Sequence, residues 1–534
     1  MLLPAAALRC LFSFASLALA TNAGAQVQDP FAPATRWISA AATTTPWIPC
    51  SLDFAAGGEL VFAAGAFGHP SWLVFSSSEP AGTAGQIQPR FNRAADSATL
   101  ANMSVRCGDQ ARELFGLSQI PEPDSAHRRT EVARFDALAV GGLAAAWTHD
   151  MGWRANGTAK LAVAADGTRA VAVVHDGVQH ALRIEWLDGA TGALLTRIDQ
   201  SGGTLRQFAA SEDAGIVAIV AGLELWVFDS SGAQRHHEVL SASTQALALS
   251  GDGASLLVGA PGLLRVLNWN TLAYVERARE TAPSAEIPVR CALSQDGSTW
   301  AAGWWNANTG RDVRLELRGA PLDGLIWQEL QGAPNTSPQN YPEVVCISRD
   351  GVRAAFGLWG SLDAQPEVVL VDRGLAASIA RLDLPGSVTA LALDSSATRL
   401  AIGMKHGHAN QFATTGEVRL FDSGERELQA LSQAQPGGSL NVSAKRSGVG
   451  SVWFLYGRRS NFPIHVAGVG GELWLSRPTL SVQRVNADAA GRADASLPIP
   501  WSIPGSGVPY SVQALFRSAL GSGLSQTLLD PLAL

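Results

Sequence analysis

The chain has 534 residues, with 39 basic side chains against 46 acidic ones and a net charge of −7. That balance excludes a nucleic-acid partner, because phosphate binding needs clustered positive charge. Only 16% of the residues are charged, and Gly, Ala, Val, Leu and Ser dominate; this argues against long solvent-exposed helices and suits short strands joined by tight turns.

Residues 1–25 read as an export signal. Arg9 is the only charge before Asp29, Leu11 to Ala20 is apolar but too short for a membrane anchor, and Ala23-Gly24-Ala25 is a small-x-small cleavage site. No later stretch is apolar over the length of a transmembrane helix. The expected product is a secreted, periplasmic or cell-surface protein that starts near Gln26, without a transmembrane segment.

A repeat follows. Its first two copies are faint: LDFAAGGELVFAAG from Leu52 with SWLVF at Ser71, then VRCGDQARELFG from Val105 with TEVARFDALAVGG at Thr130. Six clear copies come next, beginning at Leu161, Phe208, Leu247, Cys291, Val345 and Leu391. Each is a short apolar strand, a polar turn of Asp-Gly type, and a second apolar strand. Asp-Gly between two such runs is a strong hairpin signal, because Gly accepts the positive φ of a tight turn. A third, alternating strand follows each hairpin, for example LRIEW from Leu182 and VRLFD from Val418, and then a weaker fourth. The turn aspartates stand at 166, 213, 252, 296 and 350, with Ser396 in the sixth place. Spacings of 39 to 54 residues fit one four-stranded propeller blade.

Registers agree between copies. Five residues before the turn stands a bulky residue, and one residue later a small one: Ala162, Ala209, Ala248, Ala292, Cys346 and Ala392. A strand buried on both faces between two neighbouring sheets needs such an interlocking pair. The expected fold is all-β, a seven- or eight-bladed β-propeller over 26–431; eight if both faint copies count. The competing architecture is a β-sandwich of stacked repeats.

Ser432 to Ser439 reads as a linker. Residues 440–534 lack the Asp-Gly hairpins and carry alternating strands such as SVWFLYG from Ser451 and VPYSVQALF from Val508, which predicts a small C-terminal β-sandwich. It is similar to C-terminal modules of exported bacterial proteins.

The Ser-x-Asp-Gly hairpins and the DGATGALL turn at Asp188 resemble WD40/YVTN-like and quinoprotein-like β-propeller repeats. The resemblance spans about 155 to 430 well and 45 to 155 poorly. It implies fold far more than function, because this architecture hosts many activities.

Catalytic motifs are sparse. There is no G-x-S-x-G elbow, no H-E-x-x-H and no phosphate loop. The adjacent-cysteine pair expected beneath a quinone cofactor is missing, so no cofactor and no metal is implied. His406 and His408 flank Gly407; two imidazoles so close could share a metal, but an exposed polar loop is the plainer reading. The chain is therefore read as a non-catalytic binding or scaffold protein at the cell exterior, monomeric, with a protein or glycan ligand. The alternative is an extracellular lyase, hydrolase or quinone-type dehydrogenase with its site at the channel mouth.

Loops between second and third strands lengthen after Gly303, Gly357 and Gly403, and again after Gly116. Long loops on a rigid scaffold carry binding residues. This sector nominates Trp304, Trp305, Trp359, His406, His408, Arg128 and Arg129 as ligand-binding. Four cysteines of the mature chain suggest two disulfides. Cys291 with Cys346 is expected between neighbouring sheets, provided the bulky face looks toward the next sheet; Cys50 with Cys107 follows by remainder.

Overall fold

A computed structural model describes residues 34–524, apart from 40–46, 56–59, 67–70, 77–86, 93–100, 108–112, 122–126, 137–144, 156–157, 320–322, 333–338, 362–364, 374–375, 396, 410, 412–414, 424–427, 431–437, 446–448, 466–471, 476–480, 489–490, 499–509 and 519–520. The export signal and most of the expected linker lie outside the described residues.

Among those residues the chain is all-β. Eight four-stranded antiparallel sheets follow one another. Sheets 1 to 7 span 48–92, 101–155, 159–201, 205–239, 246–281, 286–331 and 342–382. Each is a meander in which consecutive strands pair. Sheet 8 is different. Its first three strands are Val388–Leu393, Arg399–Lys405 and Gly416–Asp422, and its fourth is Ala34–Ile38, from the other end of the chain. The first strand of each sheet touches the first strand of the next, and that of sheet 8 touches that of sheet 1. The arrangement is propeller-like. No helix among the described residues is long and apolar enough to cross a membrane.

The Ser-x-Asp hairpins hold themselves by the same bonds in four sheets. In sheet 6, Ser294 Oγ donates to Asp296 Oδ1 at 2.7 Å and accepts from Thr299 N–H at 3.0 Å, while Asp296 accepts from Ser298 N–H at 2.9 Å. Ser211–Asp213, Ser250–Asp252 and Ser348–Asp350 repeat this pattern. Gly253 and Gly297, after their aspartates, take φ of 70° and 64°. Burial pushes the Asp296 carboxyl up, but the bonds from Ser298 and Ser294 outweigh it and hold it below the usual carboxylate range.

Sheets interlock with a fixed sense. Leu247 packs on Ala218, Val220 and Val227 of sheet 4, and Leu391 on Ala355 and Leu370 of sheet 7; the bulky residue faces the preceding sheet. The small one faces the next: Ala248 meets Trp300 and Trp304 of sheet 6. Ala392 shares a core with Phe54, Val61 and Phe75 of sheet 1 and so joins the last sheet to the first. The repeat's second-strand glycine has a matching cause. A Cβ on Gly259 would sit 2.8 Å from Pro288, one on Gly303 2.7 Å from Pro342, and one on Gly403 3.0 Å from Pro49. In each case the proline belongs to the next sheet's first strand.

That sense of packing overturns the expected Cys291–Cys346 disulfide. Cys291, in the bulky register, packs against sheet 5, and Cys346, in the small register, packs against sheet 8. The thiols point apart, both are reduced, and burial pushes each up to about 12. The Cys50 thiol bonds to the Ala64 carbonyl at 3.4 Å and forms no disulfide, which removes the Cys50–Cys107 pairing; the Cys107 side chain lies outside the described residues.

After sheet 8, Leu428–Ala430 pairs with Ser439–Lys445, which pairs with Arg492–Pro498. A five-stranded sheet around Ser451–His465 and Tyr510–Ser518 shares one apolar core with them, built from Leu440, Val442, Phe454, Leu497, Val512 and Phe516.

Two outcomes follow. Gly303→Ala should destabilise the protein by about 1–3 kcal/mol in denaturant unfolding, because the new methyl meets a proline ring fixed in a strand. Ser294→Ala should cost about 1–2 kcal/mol, since Thr299 N–H is left buried without its acceptor. The Asp296 contribution should be present above the ordinary carboxylate pKa and fade as pH falls through its depressed folded value, so Asp296→Asn should flatten that part of the acid limb.

Candidate functional site

The eight first strands border one cavity of about 530 Å³. Every sheet contributes to its wall, from Asp53 and Phe54 of sheet 1 to Leu393 of sheet 8, so it is an axial channel. Most of the wall is apolar, though Asp53, Arg106, Glu212, Arg349 and Asp394 also line it; its apolar residues include Ala162, Ala209, Ala210, Ala248 and Ala292. These are the small-register residues and their neighbours, so the packing that interlocks the sheets also sets the bore.

At the hairpin end the channel meets the residue just before each turn aspartate: Ala165, Glu212, Gly251, Gln295 and Arg349. Their backbones are chained from sheet to sheet, with Ala165 N–H donating to Glu212 O at 2.7 Å, Glu212 N–H to Gly251 O at 2.8 Å, and Gln295 N–H to Arg349 O at 2.9 Å. Their side chains meet across the mouth. Arg349 of sheet 7 reaches Glu212 of sheet 4 at 2.9 Å and donates to Gln295 of sheet 6 at 2.9 Å. Gly251 leaves room for this bridge, since a Cβ there would lie 3.0 Å from Glu212 Oε2. A second hollow, of about 390 Å³, shares these residues and adds Asp166, Asp213 and Asp252. Those three aspartates are committed to their own turns, accepting from Thr168, Gly215 and Ala254 N–H.

The opposite end is built by strand starts and second-to-third-strand loops of sheets 6, 7 and 8. Tyr341 stands between Trp305 and Trp359, with ring centroids 5.6 and 5.1 Å away. All three rings are half-buried. The Arg290 guanidinium lies 5.8 Å from the Tyr341 ring, pairs with Glu343 Oε1 at 3.0 Å and donates to the Glu343 carbonyl at 2.6 Å. Trp359 Nε1 donates to Glu343 Oε2 at 3.0 Å. Lys405 donates to the carbonyls of Ala409 and Gln411, the latter at 3.2 Å. Burial holds its ammonium below the usual lysine range, and Glu343 opposes that.

Lys160 belongs to the same end. It lies on the first strand of sheet 3, Ala159–Val163, six residues before Asp166; Arg290 holds the equivalent register before Asp296. Desolvation lowers the pKa of its ammonium; the charges of Arg106 and Arg290 push the same way, while Cys50 and Glu343 oppose. Those four groups come from sheets 2, 6, 1 and 7. Arg106, which lines the channel, donates to Ser51 Oγ at 2.9 Å.

The nominated residues separate into groups. Trp305 and Trp359 come together, through Tyr341. Trp304 is fully buried between sheets 5 and 6, its indole N–H donating to Glu316 and its ring under Arg314 at 4.2 Å. Trp304 and Trp305 lie on the strand Thr299–Asn306, not in a loop. Arg128 and Arg129 likewise stand on a strand, His127–Asp136, opposite Pro121 and Ile120. His406 bonds Thr415 Oγ1 at 3.0 Å and lies 3.3 Å from Glu417; His408 is buried, 3.4 Å from Glu367. Each imidazole has its own carboxylate, and no group of three or more metal-ligating side chains occurs among the described residues. Tyr341, Glu343, Arg290, Lys160 and the Glu212–Arg349 bridge carry no local motif; aligning repeat registers is the signal that finds Lys160, Arg290, Glu212 and Arg349.

No protein-family model matches this chain, and no curated protein matches it either.

The bridge across the hairpin mouth can be measured. A double-mutant cycle of Arg349→Ala and Glu212→Ala should give a coupling of about 0.5–1 kcal/mol that shrinks with added salt, as for other partly exposed pairs. A coupling of zero at low salt would mean the two side chains do not meet.

Proposed function

We propose that this chain is an exported, non-catalytic binding or scaffold protein: an eight-bladed β-propeller of WD40/YVTN-like type, followed by a small β-sandwich. Ring closure by Ala34–Ile38 supports the eighth blade, since it supplies the fourth strand of the last sheet. The common core of the last two sheets supports the sandwich.

One observation carries the functional reading. The half-buried rings of Trp305, Tyr341 and Trp359, with Arg290 at their side, sit together at the end of the sheets opposite the Asp-Gly hairpins. Rigid amphipathic aromatics beside an arginine are the usual anchors of recognition surfaces. The ligand is a protein or glycan of the cell exterior, and the protein acts as a monomer.

The enzyme reading draws on one feature, the convergence of Arg290, Tyr341 and Glu343 at the same end. It requires turnover of whatever is bound.

The test is a glycan array run beside a pull-down from the native envelope. Trp305→Ala with Trp359→Ala should weaken binding to the captured partner by about tenfold or more, while changes in the tight turns at Gly222 and Gly262 should leave it intact. Equal binding by the aromatic variant would remove the reading, and chemical conversion of a bound glycan would replace it with the enzyme.

A further inference from the structure

The aromatic end is held by the same joint that holds the sheets. Trp305 lies two residues after Gly303, and Tyr341 immediately precedes Pro342, so the contact between Gly303 and Pro342 sets these two rings side by side. Trp359 follows the strand Arg353–Leu358 of sheet 7, and its backbone is fixed at both polar groups. Its N–H donates to the Tyr341 carbonyl at 3.0 Å, and its carbonyl accepts from Ser387 Oγ, beside sheet 8, at 2.6 Å. The next amide, Gly360 N–H, donates to Oδ1 of the buried Asn340 at 3.1 Å. The three rings are therefore placed before any ligand arrives, and ordering them costs little on binding. Their planes meet at 67° and 42°, which makes a bent surface.

The polar groups beside the rings are balanced in charge. Arg290 and Glu343 pair at 3.0 Å, and their side chains are 34% and 28% exposed, so a ligand can reach both. The guanidinium donates to the Glu343 carboxylate, to the Glu343 carbonyl and to the Val289 carbonyl, and it still has a donor to offer. Each Glu343 oxygen carries one bond, from Arg290 or from Trp359 Nε1, and can accept a second. An anionic ligand would meet Glu343, and a cationic one would meet Arg290. A compensated pair thus disfavours a net charge of either sign, while a group that both donates and accepts satisfies the two partners together.

We infer that the surface of Trp305, Tyr341 and Trp359 is a site for a neutral saccharide, with a C–H face of the sugar on the rings and its hydroxyls on Arg290 and Glu343. A sugar hydroxyl is donor and acceptor at once, and a pyranose carries such hydroxyls around an apolar C–H face, whose positive edge suits the negative face of an aromatic ring. The inference deepens the binding reading above and rests on it. It chooses the glycan over the protein, because the ion pair at the rim matches hydroxyls and the rings match the sugar face.

A glycan array with neutral, carboxylated and aminated oligosaccharides, followed by calorimetric titration with the strongest soluble ligand, tests the assignment. That ligand should be neutral. Trp359→Ala should weaken it about tenfold or more. Glu343→Gln leaves an oxygen for the Trp359 indole but removes the charge that balances Arg290. This variant should keep the parent's circular dichroism, bind the neutral ligand about tenfold more weakly, and shift its preference toward carboxylated chains. No saturable binding of a neutral glycan, or a parent protein that prefers charged ones, overturns the inference. A Glu343→Gln protein with unchanged affinity and preference contradicts it as well.

Periodate separates the failure of this inference from the failure of the binding reading, because it cleaves the vicinal diols of sugars. Capture from the native envelope that needs Trp359 and is lost after mild periodate supports the saccharide. Capture that needs Trp359, survives periodate and is lost after protease treatment keeps the binding reading and overturns the saccharide. Capture that is indifferent to Trp305→Ala with Trp359→Ala overturns both.

Discussion

A β-sheet buried on both faces has to fit two different neighbours at once. Here the first strand of each sheet solves this with adjacent residues, a bulky one turned toward the preceding sheet and a small one toward the next. The second-strand glycine and the next sheet's proline tighten the same joint in three sheets. This interlock has a direction, so a row of such sheets has two unlike ends. Each end exposes a half-made joint, and the most economical way to bury both is to bring them together. Sheet 8 and sheet 1 do so through the core of Phe54, Val61, Ala390 and Ala392, and Ala34–Ile38 ties the ends by pairing with Gly416–Asp422.

The channel is a consequence of that joint. Small residues turned toward the next sheet let the first strands approach the axis and leave a bore with a largely apolar wall. One register escapes the packing requirement. The residue before each turn aspartate is held by its backbone, through bonds to the next sheet, so its side chain is free to vary; Glu212, Gln295 and Arg349 use that freedom. Six residues before the turn the register is mixed, with Lys160 and Arg290 in two sheets and buried Ala246 and Ala390 in two others. Polar chemistry can therefore collect at the two ends without disturbing the joint between them. The two ends differ, one bridged by Arg349 and Glu212, the other carrying Trp305, Tyr341 and Trp359.

Much of this fold was legible in the amino-acid sequence because its signals are local. Period-two alternation and Asp-Gly turns marked the hairpins, and the bulky-then-small register marked a strand buried on both faces. Direction was not legible: alternation says that two residues face opposite ways but not which way, and the Cys291–Cys346 pairing depended on that choice. The closing strand was hidden for another reason, as Ala34–Ile38 finds its partner across nearly the whole chain. Glycine misled at Gly303 and Gly116. Each reads as a strand end, yet both strands run on, through Trp304 and Trp305 in one case and toward Pro121 in the other. The site was half legible: long loops pointed to Trp359, but Tyr341 and Glu343 join Trp305 and Arg290 only once sheets 6 and 7 pack together.

Closure by the N-terminal strand is the claim on which the channel, its mouths and its charge depend. Hydrogen exchange read by mass spectrometry on the mature chain tests it most directly. The amides of Ala34–Ile38 should exchange as slowly as those of Gly416–Asp422, and both should become fast together when the ring is destabilised. Exchange over residues 34–38 at the rate of an unstructured peptide, with 416–422 still protected, would contradict the closed ring.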